Sequence, residues 1–549
     1  MFLRKITKST GRTYYYILKS VHDKKKGYCV HKIIADVSKL PGNVITVVKA
    51  MLEGHKVILS PKLTGFFKIR KSGLFGPLWI VLHFWFELKF HKLGFSKSEF
   101  KHLTSLVLAR TISPKECRSE LKTAEWLQRS ALHLLFKGND TQWKRKYFYP
   151  LLTRLTTNWE LIEDHLWKQR EGTPRLYLYD ITSTYFEGKG GSFASLGYSR
   201  DEKRSNPQLV IALVSDGNGM PVAIRILPGN TKDNTTVKNI INDLKQKFAA
   251  EKAVLIMDRG MQSGTTNTDA ITEHGFDFVM AVSHKEGREF LKNHNNDLEW
   301  TLFDKRNIAE WTEDGKRYIV CHNPDAAARD RKVRTKILSG AETRLNSLVN
   351  MARSGRIKSK DKIIARAVKI LTKTKSEKYF EYSAEEGKFS YKKKDLVSYD
   401  ELYEGCYVLE TSLDNTIPKE EINSNYQNQR DVEEVFKSCK SELNIRPNFH
   451  MKDENIFGHI YLTFLAHYVK RTIELKLRES GYNEKGSFFL QKFLDIIANE
   501  MEVNGEETIV VTETNEEQKK LLKLLGIKMP AGSLKRSLSL YLQKDYNCL

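Results

Sequence analysis

The sequence has few cysteines, and they form no pattern that would support a disulfide-rich or zinc-finger module. Six cysteines are scattered over 549 residues, and no Cys-x-x-Cys pair occurs. Disulfide-stabilised small domains and cysteine-ligated zinc modules both need closely spaced cysteines. The spacing therefore excludes a disulfide scaffold and indicates reduced thiols in a reducing compartment.

Long apolar segments are also missing. The most apolar run, Leu74–Phe90, is interrupted by Pro77, His83 and Glu87. A membrane-spanning helix needs about 20 apolar residues with few charges, so this run predicts a buried helix and no membrane element. The first ten residues contain no apolar core of a secretory signal. We expect a soluble intracellular protein.

Acidic residues are scarce relative to basic ones. The chain has 90 Lys and Arg against 67 Asp and Glu, a formal net charge of +23. Such an excess favours a polyanionic partner, with DNA or RNA as the first candidate. The alternative is that the charge only maintains solubility.

A hydrophobic content of 40% with 11% aromatic residues excludes a wholly disordered chain.

The pattern of apolar residues changes several times along the chain. Short β-branched and aromatic runs dominate the first 70 residues, and a basic helical pattern follows, with a capping box at Ser96 and Glu99. From Arg175 onward, strands alternate with helical segments in the order strand, hairpin, strand, helix, strand, helix, strand. The hairpin turn is Asp216–Gly219. This order predicts a mixed α/β sheet.

Three acidic residues have the placement that phosphoryl transfer requires. Asp180 is expected to end the first strand of the α/β region, and Asp258 is expected to end the fourth, beside it. Glu433 lies on a predicted helix from Ile422 to Leu443. Mg²⁺ prefers oxygen ligands and retains several waters, so two or three carboxylates suffice to hold it. The alternative is that the aspartates are ordinary helix-capping or turn residues.

Helical spacing favours Glu433 over its neighbour Glu434. Tyr426, Glu433 and Lys440 are seven residues apart, which is within 20° of two helical turns, and Arg430 joins the same stripe. These side chains would contact the DNA phosphates that flank a metal site. A surface helix with ordinary ion pairs would show a similar pattern.

Several motifs of this chain together resemble a known family. Asp180–Glu187 is similar to the first-Asp motif of the DDE transposases of bacterial insertion sequences, in the IS-four superfamily and its branch named for IS-sixteen-thirty-four. Tyr426, Glu433 and Lys440 resemble its third block, although Gln429 stands where the family usually has Arg and Arg430 comes one residue later. The other matching blocks follow in family order: Gly197–Asp201, Asn206–Gln208, Leu227–Thr231, Met257–Met261 and Arg446–His450.

The resemblance implies a ribonuclease-H-like mixed-sheet core with a β-containing insertion. Asp180, Asp258 and Glu433 would be the catalytic triad and the ligands of two Mg²⁺ ions, for which Mn²⁺ would substitute. Tyr198, Arg200 and Arg259 would join the phosphate contacts. His450 would contact DNA, or equally would serve in capping or packing.

The resemblance and the pattern changes together divide the chain into six expected regions. They are a β-rich N-terminal region (1–70), a helical DNA-binding region (71–172), the first part of the core (173–284), the insertion (285–400), the second part of the core with the Glu helix (401–478) and a C-terminal helical region (479–549).

The expected function is transposition in the bacterial cytoplasm, in association with the nucleoid. Water and then a 3′-hydroxyl would attack in line, cutting the terminal inverted repeats of the element and joining them to target DNA. A homodimer on DNA and no membrane partner are expected. The alternatives are a structure-specific nuclease on the same fold and a non-catalytic DNA-binding derivative.

Overall fold

The computed structural model describes most of the chain as two compact units. The described residues are 1–9, 11–23, 27–54, 67–136, 143–170, 172–198, 203, 205–248, 253–258, 261, 266–303, 305–427, 436–443, 445–503, 506–530 and 532–534. One unit comprises Met1–Arg70 with Glu500–Thr508, and the other comprises Lys71–Asn499 with Ile509–Leu549.

The first unit contains a three-stranded antiparallel sheet, as the aromatic and β-branched runs predict. Its elements are strands β1 Phe2–Thr7, β2 Thr13–Asp23 and β3 Tyr28–Asp36 and helix α1 Gly42–Leu52. The central strand β2 pairs with both neighbours. After β3 the chain turns at Ser38, whose backbone N–H donates to Asp36 Oδ1 (2.9 Å).

The remaining elements are numbered in chain order. The helices are α2 Gly76–Glu87, α3 Lys97–Ile112, α4 Glu120–Arg129, α5 Leu132–Leu135, α6 Phe148–Thr157, α7 Trp159–Lys168, α8 Val237–Gln246, α9 Thr266–Glu273, α10 His284–His294, α11 Pro324–Arg353, α12 Lys360–Thr374, α13 Leu396–Tyr403, α14 Lys419–Gln427, α15 Asp453–Glu479, α16 Gly486–Gln491 and α17 Glu516–Leu524. The strands are β4 Phe67–Leu74, β5 Leu176–Tyr185, β6 Gln208–Asp216, β7 Pro221–Pro228, β8 Val254–Met257, β9 Asp277–Ala281, β10 Thr301–Phe303, β11 Arg306–Glu313, β12 Lys316–His322, β13 Phe380–Glu385, β14 Lys388–Lys393, β15 Cys406–Thr411, β16 Ile497–Val503, β17 Glu506–Val511 and β18 Gly532–Leu534.

The predicted apolar helix is confirmed as α2, which is buried on nearly all sides. It packs against α3 and α15, and Trp85 donates its indole N–H to Thr104 Oγ1 of α3 (2.8 Å). The predicted capping box at the start of α3 is present, with Ser96 and Glu99 bonding to each other's backbone N–H groups. None of the helices in the described part of the chain is long and apolar enough to span a membrane.

A nine-stranded mixed sheet forms the centre of the second unit. Its order is β10–β11–β12–β15–β9–β8–β5–β6–β7. The β5–β8 and β8–β9 pairs are parallel, and the other neighbours are antiparallel. The predicted mixed α/β sheet is thus confirmed, and β10–β12 extend it beyond residue 284.

Helices cover both faces of this sheet. Along β5, Tyr177, Tyr179 and Ile181 pack into one core cluster with α8 and α9, whereas Leu178 packs into another that includes α15. The alternation is that of a strand buried on both faces. Between β12 and β15 the chain leaves the sheet to form α11, α12 and the β13–β14 hairpin, which share a smaller core.

The expectation of a helical C-terminal region is wrong for part of that region. Strands β16 (Ile497–Val503) and β17 (Glu506–Val511) belong to a four-stranded sheet in the order β18–β17–β16–β4. The physical reason is the β-branched run Thr508–Val511, which follows the turn sequence Asn504-Gly505. The many glutamates around this run give a charge pattern like that of a surface helix, but they do not determine the secondary structure.

Candidate active site

Two aspartates occupy neighbouring positions in the interior of the central sheet, at the end where the parallel pairing of β5 and β8 stops. The last residue pair between β5 and β8 is Tyr179 with Met257. Asp180 and Asp258 are the residues that follow this pair in the chain. Both aspartates are half-buried. The sequence argument that the two carboxylates lie on adjoining strands is therefore confirmed.

One detail of that argument is wrong, because Asp180 does not end its strand. β5 continues to Tyr185 through antiparallel pairing with β6, in which Asp180 is opposite Leu213. The apolar run does end at Asp180, but Ile181–Tyr185 carries β-branched and aromatic residues that extend the strand. Asp180 consequently lies inside a strand that is paired with β6, whereas Asp258 directly follows the last residue of β8.

The alternation of side chains assigns Asp180 to one face of the sheet. Leu178, two residues earlier, shares a core cluster with Phe436, Cys439 and Leu443. Residues two apart in a strand point to the same face, so Asp180 faces the side on which the segment after Glu433 is packed. Glu433 itself lies outside the described residues.

The segment that carries Glu433 is anchored at both of its described ends. Upstream, Asn423 of α14 is buried and accepts hydrogen bonds from Cys321 Sγ (3.0 Å) and the Tyr407 hydroxyl. Downstream, the Ile445 carbonyl accepts from Thr184 Oγ1 (3.2 Å), the last but one residue of β5. The upstream end is therefore bonded to β12 and β15, and the downstream end is bonded to β5. All three are strands of the central sheet.

The predicted straight helix does not continue to Lys440. Residues Ser438–Glu442 form a π-helical turn, in which Lys440 is half-buried. A wider turn changes the angle per residue, so the seven-residue stripe cannot be extended to Lys440 by α-helical geometry. Tyr426 on α14 is half-buried against the ring of Tyr407 (centroids 5.6 Å apart). Arg430 lies outside the described residues.

Three family blocks converge on Gln208 at the start of β6. Its side-chain amide donates to the carbonyls of Tyr198 (2.8 Å) and Gly229 (3.2 Å). A Cβ added at Gly197 would lie 2.1 Å from the Gly229 carbonyl oxygen, so only glycine fits this approach. The Tyr198 side chain is 80% exposed. Arg200 and Arg259 lie outside the described residues.

The sequence argument missed a buried polar cluster beside the last family block. Glu120, His450 and His459 place one potential ligand atom each within 4.8 Å of one another. Burial would raise the pKa of Glu120, but the hydrogen bond and charge of His450 outweigh it and lower the pKa. Glu120 is 330 residues from His450 in the chain, so no local spacing reveals this contact.

A family model and a solved structure match this chain. A family model described as a transposase DDE domain matches residues 171–469. No curated protein matches the chain. Among solved structures, the chain is similar to the piggyBac transposase in a cryo-EM synaptic complex with hairpin DNA, at 10% sequence identity and a TM-score of 0.37, covering 85% of this chain and 80% of that one.

The family match begins before β5 and ends within α15, so it includes both aspartates and the Glu433 segment. DDE transposases use divalent metal ions. Because the matched residues make up more than half of the 549 residues, the chain belongs to the transposase DDE domain family and is an enzyme that cuts DNA and transfers the cut strands.

Proposed function

We propose that Asp180, Asp258 and Glu433 form the catalytic triad of a ribonuclease-H-like core, in a transposase of the IS-four superfamily and its IS-sixteen-thirty-four-like branch. The observation that carries the proposal is the parallel β5–β8 pairing, which ends immediately before both aspartates. The packing of Phe436 and Leu443 on the same face supports the third position.

The two described carboxylates fit a hard divalent cation. Half-buried aspartate oxygens at neighbouring strand positions are the donors that Mg²⁺ prefers, and they leave coordination positions for water and phosphate oxygens. Two Mg²⁺ ions, or Mn²⁺ in their place, would activate the attacking oxygen and neutralise charge on the leaving oxygen. The protein's own part is to hold Asp180 within the paired strand β5, opposite Leu213 of β6.

Side chains around this end of the sheet would position the DNA backbone. Tyr198 reaches into solvent from the loop held by Gln208, and Tyr426 and Lys440 flank the Glu433 segment. With Arg200, Arg259 and Arg430 they form the proposed set of phosphate contacts. Arginine and lysine contribute charge to such contacts, and tyrosine contributes a hydroxyl donor.

The two-helix part of the insertion offers a further DNA surface. On α12, Lys362, Arg366, Lys369 and Lys373 are spaced by four, three and four residues and all are exposed. This spacing places them on one face, and the opposite face is buried against α11 through Ile363, Ala367 and Leu371. We propose that this basic stripe of α12 contacts the phosphates of the element's DNA ends.

The remaining regions complete the proposal. The helical region 71–172 would bind the terminal inverted repeats. The core would comprise residues 173–284 and 401–478 together with β10–β12, which extend its sheet. The insertion would comprise the rest of residues 285–400. Residues 1–70 and 479–549 would flank these parts. Two DNA ends must be held together for joining, which favours a homodimer on DNA in the bacterial cytoplasm, associated with the nucleoid.

An end-joining assay tests the proposed triad. Purified full-length protein is incubated with a duplex carrying the terminal repeat, Mg²⁺ and a supercoiled target, beside Asp180→Ala, Asp258→Ala and Glu433→Gln. We expect cleavage and joining by the wild type and a loss of at least about 100-fold in each variant, because the metal supplies several kcal/mol of transition-state stabilisation. Joining by Glu433→Gln at the wild-type rate would remove Glu433 from the triad.

A matched control uses an aspartate at the other end of the same sheet. Asp277 begins β9, is half-buried and accepts a hydrogen bond from Ser412 Oγ (2.9 Å). Asp277→Ala removes a carboxylate of similar burial from the sheet without touching the proposed site. We expect it to retain cleavage and joining.

A further inference from the structure

A second potential metal site lies among the helices, with ligands different from those of the catalytic carboxylates. Glu120 is the first residue of α4, His450 is the last residue of the final family block, and His459 lies on α15. One ligand atom from each falls within a 4.8 Å cluster. We propose that these three side chains bind a zinc ion that fastens α4 to α15 and to the segment after Glu433.

The distance between the His450 and Glu120 ligand atoms suits a tetrahedral ion. His450 Nε2 and Glu120 Oε1 are 3.2 Å apart. Zinc bonds of about 2.0–2.1 Å to nitrogen and oxygen place neighbouring tetrahedral ligands about 3.3 Å apart. The rings of His450 and His459 have centroids 5.4 Å apart at 57°, so they converge without stacking.

The ligands are buried and held in place by their surroundings. The Glu120 and His450 side chains are each only 10% exposed. The His450 backbone N–H donates to Asn448 Oδ1 (3.0 Å), and Asn448 N–H donates to the Tyr185 carbonyl at the end of β5. The ring of Tyr149 packs edge-on against His450 at 6.1 Å. Fixed ligands lower the entropy cost of binding a metal.

The choice of zinc follows from the donor set. Two imidazoles and one carboxylate favour Zn²⁺, whereas Mg²⁺ prefers oxygen donors only. Without a metal, the charge of Glu120 would be balanced by His450 and by the buried Arg110, whose guanidinium donates to the Leu443 carbonyl (3.1 Å). That metal-free ion pair is the competing description, and a metal analysis separates the two.

The test measures metal in full-length protein produced without a histidine tag. We expect about one zinc per chain by mass spectrometry. Cobalt substitution should give the visible absorption of a tetrahedral ion, and a strong chelator should lower Tm by several degrees, reversed by one equivalent of Zn²⁺ and not by Mg²⁺. Protein without stoichiometric zinc and without a tetrahedral cobalt spectrum would overturn the proposal, whatever the variants do.

Variants then assign the ligands. His459→Asn and Glu120→Gln should lose the zinc and the cobalt spectrum. His467→Asn is the matched control, because His467 lies two turns further along α15 and is equally buried, at 4% exposure. Asp258→Asn should also retain the zinc, which separates this site from the catalytic one. Zinc retained by a folded His459→Asn protein would contradict the assignment.

Discussion

Single residues at the end of the β5–β8 pairing carry most of what the sequence could predict about the site. Asp180 and Asp258 each follow a short apolar run, and their neighbouring positions follow from the strand order. The extension of β5 to Tyr185 was not predictable from the apolar run, because it depends on pairing with β6. The Glu120–His450 contact was hidden for the same reason, since it joins residues that only the tertiary fold brings together.

A glycine substitution tests the close packing of the family blocks. A Cβ at Gly229 would lie 2.0 Å from the Gln208 carbonyl oxygen and 2.5 Å from that of Ser195. We expect Gly229→Ala to lower the free energy of unfolding by about 1–3 kcal/mol through overpacking, and to reduce DNA cleavage because the Tyr198 loop is displaced.

The control for that substitution is Gly340→Ala, in the interior of α11. A Cβ there meets no atom within 4 Å, and alanine is the better helix former by about 1 kcal/mol. We expect equal or higher stability and unchanged cleavage. Equal effects of Gly229→Ala and Gly340→Ala would show that the backbone contact between Gly229 and Gln208 is not tight. Unfolding is followed by urea titration.

At the scale of elements, helices with strong local signals were predictable and long-range strand pairings were not. The α3 capping box and the apolar α2 follow from local sequence. The π-helical turn Ser438–Glu442 interrupts a pattern that continues as an α-helix in sequence. Strands β16 and β17 were predicted as helix, because their charged residues masked the β-branched run.

The junction of α10, α13 and the helical turn Glu377–Tyr379 before β13 depends on one carboxylate. Asp400 accepts hydrogen bonds from Arg288, from Lys378 (2.8 Å) and from the Tyr379 hydroxyl (2.7 Å). Burial would raise the pKa of Asp400, but the bonds from Lys378, Tyr379 and Arg288 outweigh it and hold the pKa below its ordinary value of 3.8. The stabilisation is therefore complete above about pH 4 and is lost as the pH falls through the lowered pKa.

We expect Asp400→Asn to lower the stability of this junction by about 1–3 kcal/mol at pH 7, because hydrogen bonds to a charged group are lost. The difference from the wild type should shrink below pH 4. Hydrogen exchange of α10 and α13, followed by mass spectrometry, measures this difference in stability. Asp314→Asn, in the exposed turn between β11 and β12, is the control. A stability difference between Asp400→Asn and the wild type that grows as the pH falls would contradict the role assigned to Asp400.

The basic stripe of α12 predicts a measurable salt dependence. Each phosphate contact contributes about −0.9 to the slope of log binding constant against log salt concentration. We expect Lys369→Gln with Lys373→Gln to weaken binding to repeat-end DNA and to reduce this slope by about 1–2. Lys519→Gln with Lys520→Gln, two exposed lysines of α17, removes the same charge elsewhere. Equal slopes for both double variants would exclude a specific role for the stripe.

At the scale of the whole molecule, the sequence predicted that the central sheet is a mixed α/β sheet, but it did not predict how many strands belong to it. The central sheet uses strands from Leu176 to Thr411, with α11, α12 and the β13–β14 hairpin inserted between β12 and its partner β15. That pairing bridges more than 80 residues, and local periodicity contains no information about it. The catalytic proposal depends on this sheet, because it delivers Asp180 and Asp258 to neighbouring positions.

The most direct test of that proposal asks whether these carboxylates contact the metal. Asp180→Cys and Asp258→Cys replace oxygen ligands by a softer thiolate, which Mn²⁺ tolerates better than Mg²⁺. We expect both variants to be inactive in DNA cleavage with Mg²⁺ and partly restored with Mn²⁺, whereas Asp277→Cys cleaves with either ion. Cleavage by Asp180→Cys at the wild-type rate in Mg²⁺, or no restoration of either folded variant by Mn²⁺, would contradict direct metal contact.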